Sequence, residues 1–80
     1  MLNTYKIEVS YQRPDKSGRS YKKYEVHAAN SQEAVYMVRL WITEDLASLA
    51  GLKLNIRCEN IWIERDGAFQ HMLEDDNNDI

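Results

Sequence analysis

Apolar residues recur at every second position towards both ends of this 80-residue chain, and at every third or fourth position between them. A period of two marks a strand with one buried face, and a period near 3.6 marks a helix with one apolar stripe. The chain is therefore limited to strands on either side of a helix. Tyr5, Ile7, Val9 and Tyr11 alternate with Lys6, Glu8, Ser10 and Gln12, which predicts a first strand. Residues 13–19 supply Pro14 and Gly18 to a polar segment, the composition of a hairpin loop longer than two residues. Beyond it Tyr24, Val26 and Ala28 face one way while Lys23, Glu25 and His27 face the other. A second strand returns antiparallel to the first.

Asn30-Ser31-Gln32-Glu33 reads as a helix start, with Asn30 as cap, Ser31 as the alternative cap, and Glu33 placed to reach back. Ala34, Val35, Val38, Trp41, Ile42, Leu46 and Leu49 then form a stripe wide enough to lie on a sheet. Thr43-Glu44-Asp45 could cap a second short helix and break the first near Ile42; in either case Gly51 is the expected stop. Leu52, Leu54, Ile56 and Cys58 alternate with polar residues, after which the phase slips and Ile61 and Ile63 carry the pattern. A bulge at Glu59-Asn60 accounts for the slip. Asp66-Gly67 lies before a last strand-like run, Ala68 to Leu73, and this dipeptide suits a tight hairpin because both central residues need positive φ.

Two strand pairs about one helix predict an α+β fold, a two-layer ββαββ sandwich whose antiparallel sheet carries one amphipathic helix on one face. Eighty residues make a single domain, taken as 1–73, with 74–80 an acidic and disordered tail. The single cysteine, Cys58, rules out a disulfide within the chain and suits a reducing compartment. The chain begins without the basic and apolar run of a signal peptide, and no window approaches a membrane span, so the expected location is cytoplasmic, with no membrane partner.

Charge is graded along the chain. Residues 1–40 hold 7 Lys/Arg against 4 Asp/Glu and residues 41–80 hold 3 against 9, so the halves are +3 and −6 and sum to −3. The cations concentrate in the first hairpin, where Arg13, Lys16, Arg19, Lys22 and Lys23 are interleaved with Tyr11, Tyr21 and Tyr24. Lys and Arg neutralise phosphates and a tyrosine face stacks on an unpaired base, so Arg13, Lys16, Arg19, Tyr21, Lys22 and Lys23 form a candidate nucleic-acid or partner surface. The competing reading is a solvated hairpin whose Tyr11 and Tyr24 are core. Trp62 falls out of phase with Ile61 and Ile63 and is expected on the open sheet face with Lys6, Glu8, Lys23, Glu25 and His27, as an anchor for a partner or for a second copy of the chain. The acidic residues Glu74, Asp75, Asp76 and Asp79 read as a solubilising end, with phosphate mimicry as the alternative.

No Gly-rich phosphate loop, nucleophile arrangement or metal-ligand spacing is present, so the expectation is no enzyme, no cofactor and no metal. Cys58 alternates with Leu54 and Ile56 and is expected in the core, where a thiol loses reactivity.

The run Val-His-Ala-Ala-Asn-Ser-Gln-Glu-Ala-Val at 26–35 resembles the strand-turn-helix start of many small phage, prophage and plasmid proteins. With Ile61-Trp62-Ile63-Glu64-Arg65-Asp66-Gly67, the order of elements is similar to a family of short anti-CRISPR proteins that occupy the nucleic-acid path of a type I-F surveillance complex. The longer helix and the tail depart from that family. What the resemblance implies is a class: a small non-enzymatic inhibitor or adaptor from a mobile element. The expected partner is a host protein or protein complex, with direct nucleic-acid binding through the basic hairpin and a homodimer as the alternatives.

Overall fold

The computed structural model describes residues 1–49 and 53–72. Strand β1 (Asn3–Tyr11) pairs antiparallel with β2 (Ser20–Ala28) and with β3 (Arg57–Arg65), and β3 pairs with β4 (Ala68–His71), giving one sheet in the order β2-β1-β3-β4. Helix α1 (Ser31–Asp45) lies on one face of that sheet, so the α+β reading holds. It packs on β2 and, to a lesser extent, β1.

Register follows from the alternation of apolar residues. Tyr5, Ile7 and Val9 face Val26, Tyr24 and Lys22 across one seam and Ile63, Ile61 and Cys58 across the other. Directly opposed residues of an antiparallel pair share a side, so all of these lie on the covered face. Ala34, Val38 and Ile42, four residues apart, are fully buried and pack down onto Tyr5, Ile7, Val9, Val26, Ala28 and Ile61. The pairing of β1 with β3 slips between Glu8 and Val9, where Glu59 is the extra residue. That bulge returns Cys58 to the covered face after the phase change.

The ends of the helix obey local chemistry. Asn30 is extended and its Oδ1 accepts the Glu33 N–H at 2.9 Å. α1 runs unbroken through Thr43, which places the interruption later than the alternative at Ile42; Leu46 closes it and a short 3₁₀ turn, Ala47–Leu49, follows. The predicted stop at Gly51 and the start of a strand at Leu52 lie outside the described residues, as do Leu73 and the acidic tail.

The third strand is shorter than expected. Leu54 and Ile56 pack on the core, yet β3 begins only at Arg57, because Asn55 takes a left-handed conformation (φ 48°) that a strand does not permit. A backbone bond, Gln12 N–H to the Leu54 carbonyl at 2.7 Å, ties the segment to the end of β1. Asp66 and Gly67, at φ 51° and 81°, form the tight two-residue turn between β3 and β4.

At the far end of the helix, the Tyr24 hydroxyl donates to the Asp45 carboxylate and its ring lies 6.2 Å from Trp41. Burial first, then the Asp45 hydrogen bond and charge, raises the Tyr24 pKa above its ordinary value near 10. A phenol that is harder to ionise in the folded state than in the unfolded chain stabilises the fold fully below the unfolded value, and that contribution is lost as pH rises through the folded one. Thermal melts between pH 9 and 12 are therefore expected to show the parent losing stability above about pH 10, and Tyr24→Phe losing distinctly less over the same range.

Candidate binding face

The face of the sheet away from α1 is uncovered among the described residues. Thr4, Lys6, Glu8 and Ser10 of β1 lie on it, opposite His27, Glu25, Lys23 and Tyr21 of β2. Trp62, Asn60 and Arg57 of β3 complete the central rows, and β4 adds Phe69 and His71, opposite Glu64 and Trp62. The expectation that Trp62 shares a face with Lys6, Glu8, Lys23, Glu25 and His27 follows this register.

Trp62 stands at the centre of an ordered group. Its ring meets the His71 ring edge-on at 5.6 Å, and the Lys23 ammonium lies 5.8 Å from its centroid. Lys6 Nζ sits 4.4 Å above the Phe69 ring. Below these, Asn60 joins the strands: its Nδ2 donates to Glu8 Oε1 at 2.7 Å, and its Oδ1 lies 2.9 Å from His71 Nε2. The second contact places a proton on that histidine nitrogen, since an amide oxygen only accepts. Thr4 Oγ1 lies 3.0 Å from His27 Nδ1 at the edge of the face.

Ammonium groups over aromatic faces and a three-member polar chain hold these side chains in fixed places, so the surface is built before any partner arrives. Its formal charge is close to balanced: Lys6, Lys23, Arg57 and Arg19, which binds Ser10 on this side, against Glu8, Glu25 and Glu64.

The residues expected to form a binding surface are divided by the fold. Tyr21, Lys23 and Trp62 share the open face, with Tyr21 57% exposed. Lys22, adjacent to Lys23, is turned to the covered side opposite Val9 by the pleat. Lys16 is exposed in the loop. Arg13 is held in the same loop by a two-pronged pair with Asp15, Nε to Oδ1 at 3.0 Å and Nη2 to Oδ2 at 2.8 Å, and that hydrogen bond lowers the Asp15 pKa. Arg19 turns inward: its Nε donates to Ser10 Oγ at 2.8 Å, and its Nη2 to the Ser10 carbonyl at 3.1 Å and to the Asn55 carbonyl. The five cations do not make one patch.

Phe69, His71 and Asn60 belong to the face and were not among the expected site residues. The signal for the first two was present. A two-residue turn at Asp66-Gly67 sets Arg65 opposite Ala68, which carries Phe69 and His71 to the side of Glu64 and Trp62. Cys58 faces Val9 on the covered side, and burial pushes its thiol pKa up, with Arg39 pulling in the other direction. Among the described residues no three His, Cys, Asp or Glu side chains come together as a metal site, and no helix is long and apolar enough to cross a membrane.

The fold and this face define a small α+β domain with one uncovered, aromatic-centred sheet surface. Comparison with protein-family models, with curated proteins and with solved structures finds no match for the chain.

Proposed function

We propose that this protein is a non-enzymatic interaction module that binds a partner protein through its open sheet face, with Trp62 as the anchor. The observation that carries this reading is the group of Trp62, Lys23, His71, Asn60, Glu8, Lys6 and Phe69 on a sheet face over which no layer lies among the described residues. A central aromatic side chain flanked by fixed polar groups is the usual composition of a protein-binding hot spot. Four cations interleaved with three anions favour a protein over a polyanion, whose phosphates call for a continuous positive surface. A host protein, such as a component of a defence system, is the partner class that the resemblance to mobile-element inhibitors implies. Nucleic acid, gripped by Lys16, Tyr21 and Lys23, is the second reading.

The test is comparative capture. Parent, Trp62→Ala and Tyr36→Ala proteins are immobilised and exposed to bacterial lysate with and without nuclease; Tyr36, 63% exposed, lies on the outer side of α1. A defined protein is expected on the parent and on Tyr36→Ala after nuclease, reduced at least about tenfold on Trp62→Ala. Equal retention by all three overturns the assignment of the face. Retention that vanishes with nuclease, and that falls steeply with salt, moves nucleic acid to first place.

A further inference from the structure

We propose that two copies of this chain pair antiparallel through the outer edges of β2, forming a dimer with one continuous sheet. β2 ends the sheet, and among the described residues no strand pairs with its outer side. It is nine residues long and contains no Pro, Gly or bulge, whereas β4 at the opposite edge has four residues. A long flat edge presents a row of N–H and C=O groups that another strand can take up.

The charges on the open face name that strand. Glu25 lies opposite Lys6, and Lys23 opposite Glu8. A two-fold axis through Tyr24 sets Lys23 opposite the partner's Glu25 and Glu25 opposite the partner's Lys23, so the row reads Lys6, Glu25, the partner's Lys23, the partner's Glu8. The sign alternates across the seam without a break, and Tyr21 meets the partner's His27. Centring the pair on Lys23 or on Glu25 brings like charges together at the axis, which is destabilising. Among the registers that centre near the middle of β2 and keep both covered faces on one side, only this one is complementary.

The helix supplies the second observation. Trp41 lies against Tyr24 of β2, and Met37, one turn earlier, shares its flank of α1, while Leu40 stands further round towards the outer side. Leu40 is 49% exposed, and Met37 and Trp41 are only partly buried. Arg39, on the opposite flank, is close enough to β3 for its charge to act on Cys58. The flank overhanging the free edge thus carries the partly buried Met37 and Trp41, with the exposed Glu33 and Glu44 outward of them. With strands about 4.8 Å apart and α1 above the β1–β2 pair, edge pairing sets the two helix axes about 10 Å apart, a distance at which helices pack. The same axis leaves both Trp62 rings on the open side, so the dimer doubles the proposed binding face.

Analytical ultracentrifugation of charge variants tests the pairing. Lys23→Glu makes the seam acidic and Glu25→Lys makes it basic, so each variant alone is expected to raise the dimer dissociation constant roughly tenfold or more. Mixed in equal amounts, the two seams are complementary and the mixed dimer is expected to form. Met37→Glu, on the flank of α1 beside the seam and remote from the sheet charges, is expected to weaken the dimer also, with its melting temperature as the check that the variant is folded. A parent that stays monomeric at its highest soluble concentration overturns the proposal. So does a parent dimer that all three variants retain, or a mixture that remains monomeric while both components melt near the parent temperature.

Discussion

Ile7→Ala is expected to cost about 3–4 kcal/mol of folding stability, from the lost transfer energy of the side chain and the cavity left behind. Ile7 is fully buried on a strand flanked on both sides, opposite Tyr24 and Ile61, beneath α1. No surface loop can collapse into its place. A domain of this size has about 4–12 kcal/mol in total, so the variant is expected to unfold at a much lower urea concentration than the parent, with the slope of the transition unchanged. Ile7→Val is expected to lose only about 1 kcal/mol. Leu40→Ala, on the outer side of the helix, is expected to change stability by less than about 0.5 kcal/mol. An Ile7→Ala midpoint close to the parent's would mean that α1 and the sheet do not form the shared core described above.

Arg19→Ala is the second large effect, expected at about 2 kcal/mol, because hydrogen bonds from a charged donor contribute more than neutral ones and a buried acceptor is left without its partner. Ser10 is fully buried on the open side of the sheet, and Arg19 binds both its hydroxyl and its carbonyl while reaching the Asn55 carbonyl. One guanidinium thus ties the base of the first hairpin to the segment that leads into β3. The gain is offset in part by Arg19 Nη1, which is buried and has no hydrogen-bond partner among the described residues. Arg19→Lys is expected to recover little, since an ammonium lacks the planar fork that reaches three oxygens at once. Lys16→Ala, in the exposed loop, is expected to leave the urea midpoint unchanged. If Arg19→Ala unfolds with the parent, the guanidinium is not a structural tie and becomes free for a ligand.

The contrast between Arg19 and Lys16 shows where reading the chain succeeds and where it stops. Alternation of Tyr5, Ile7 and Val9 is a local signal, and burial of one sheet face makes it reliable, so strands, faces and the position of Trp62 were all legible. Asn30, Glu59 and Asp66-Gly67 were legible for the same reason: each acts on its immediate backbone. Asn55 was misleading because the alternation of Leu54, Ile56 and Cys58 gives no sign that the residue between the first two adopts a positive φ. The basic hairpin looked like one patch because charges were counted along the chain, whereas the pleat sends Lys22 and Lys23 to opposite faces. Arg19 bonds to a residue 36 positions away, a pairing that depends on β1 lying next to β3 and leaves no trace in local composition. The Asn60 link between Glu8 and His71 is of the same kind, joining three strands.

α1 packs on β2 and β1, and its placement has a consequence for how the sheet comes apart. Opening β4 breaks its four-residue ladder, the bond from Met72 to the Ile61 carbonyl and the stacking of Phe69 and His71, but removes none of the fully buried side chains of α1, β1 or β2. The molecule is therefore built as a stiff half and a soft half, and local unfolding begins at the soft one. Lys6 stands on the stiff half, while Phe69, its aromatic counterpart, and His71, which meets Trp62 edge-on, stand on the strand that detaches first. A partner that engages Phe69 and His71 would hold β4 closed, and amide exchange along 68–71 would slow while the rest of the chain stayed as it was.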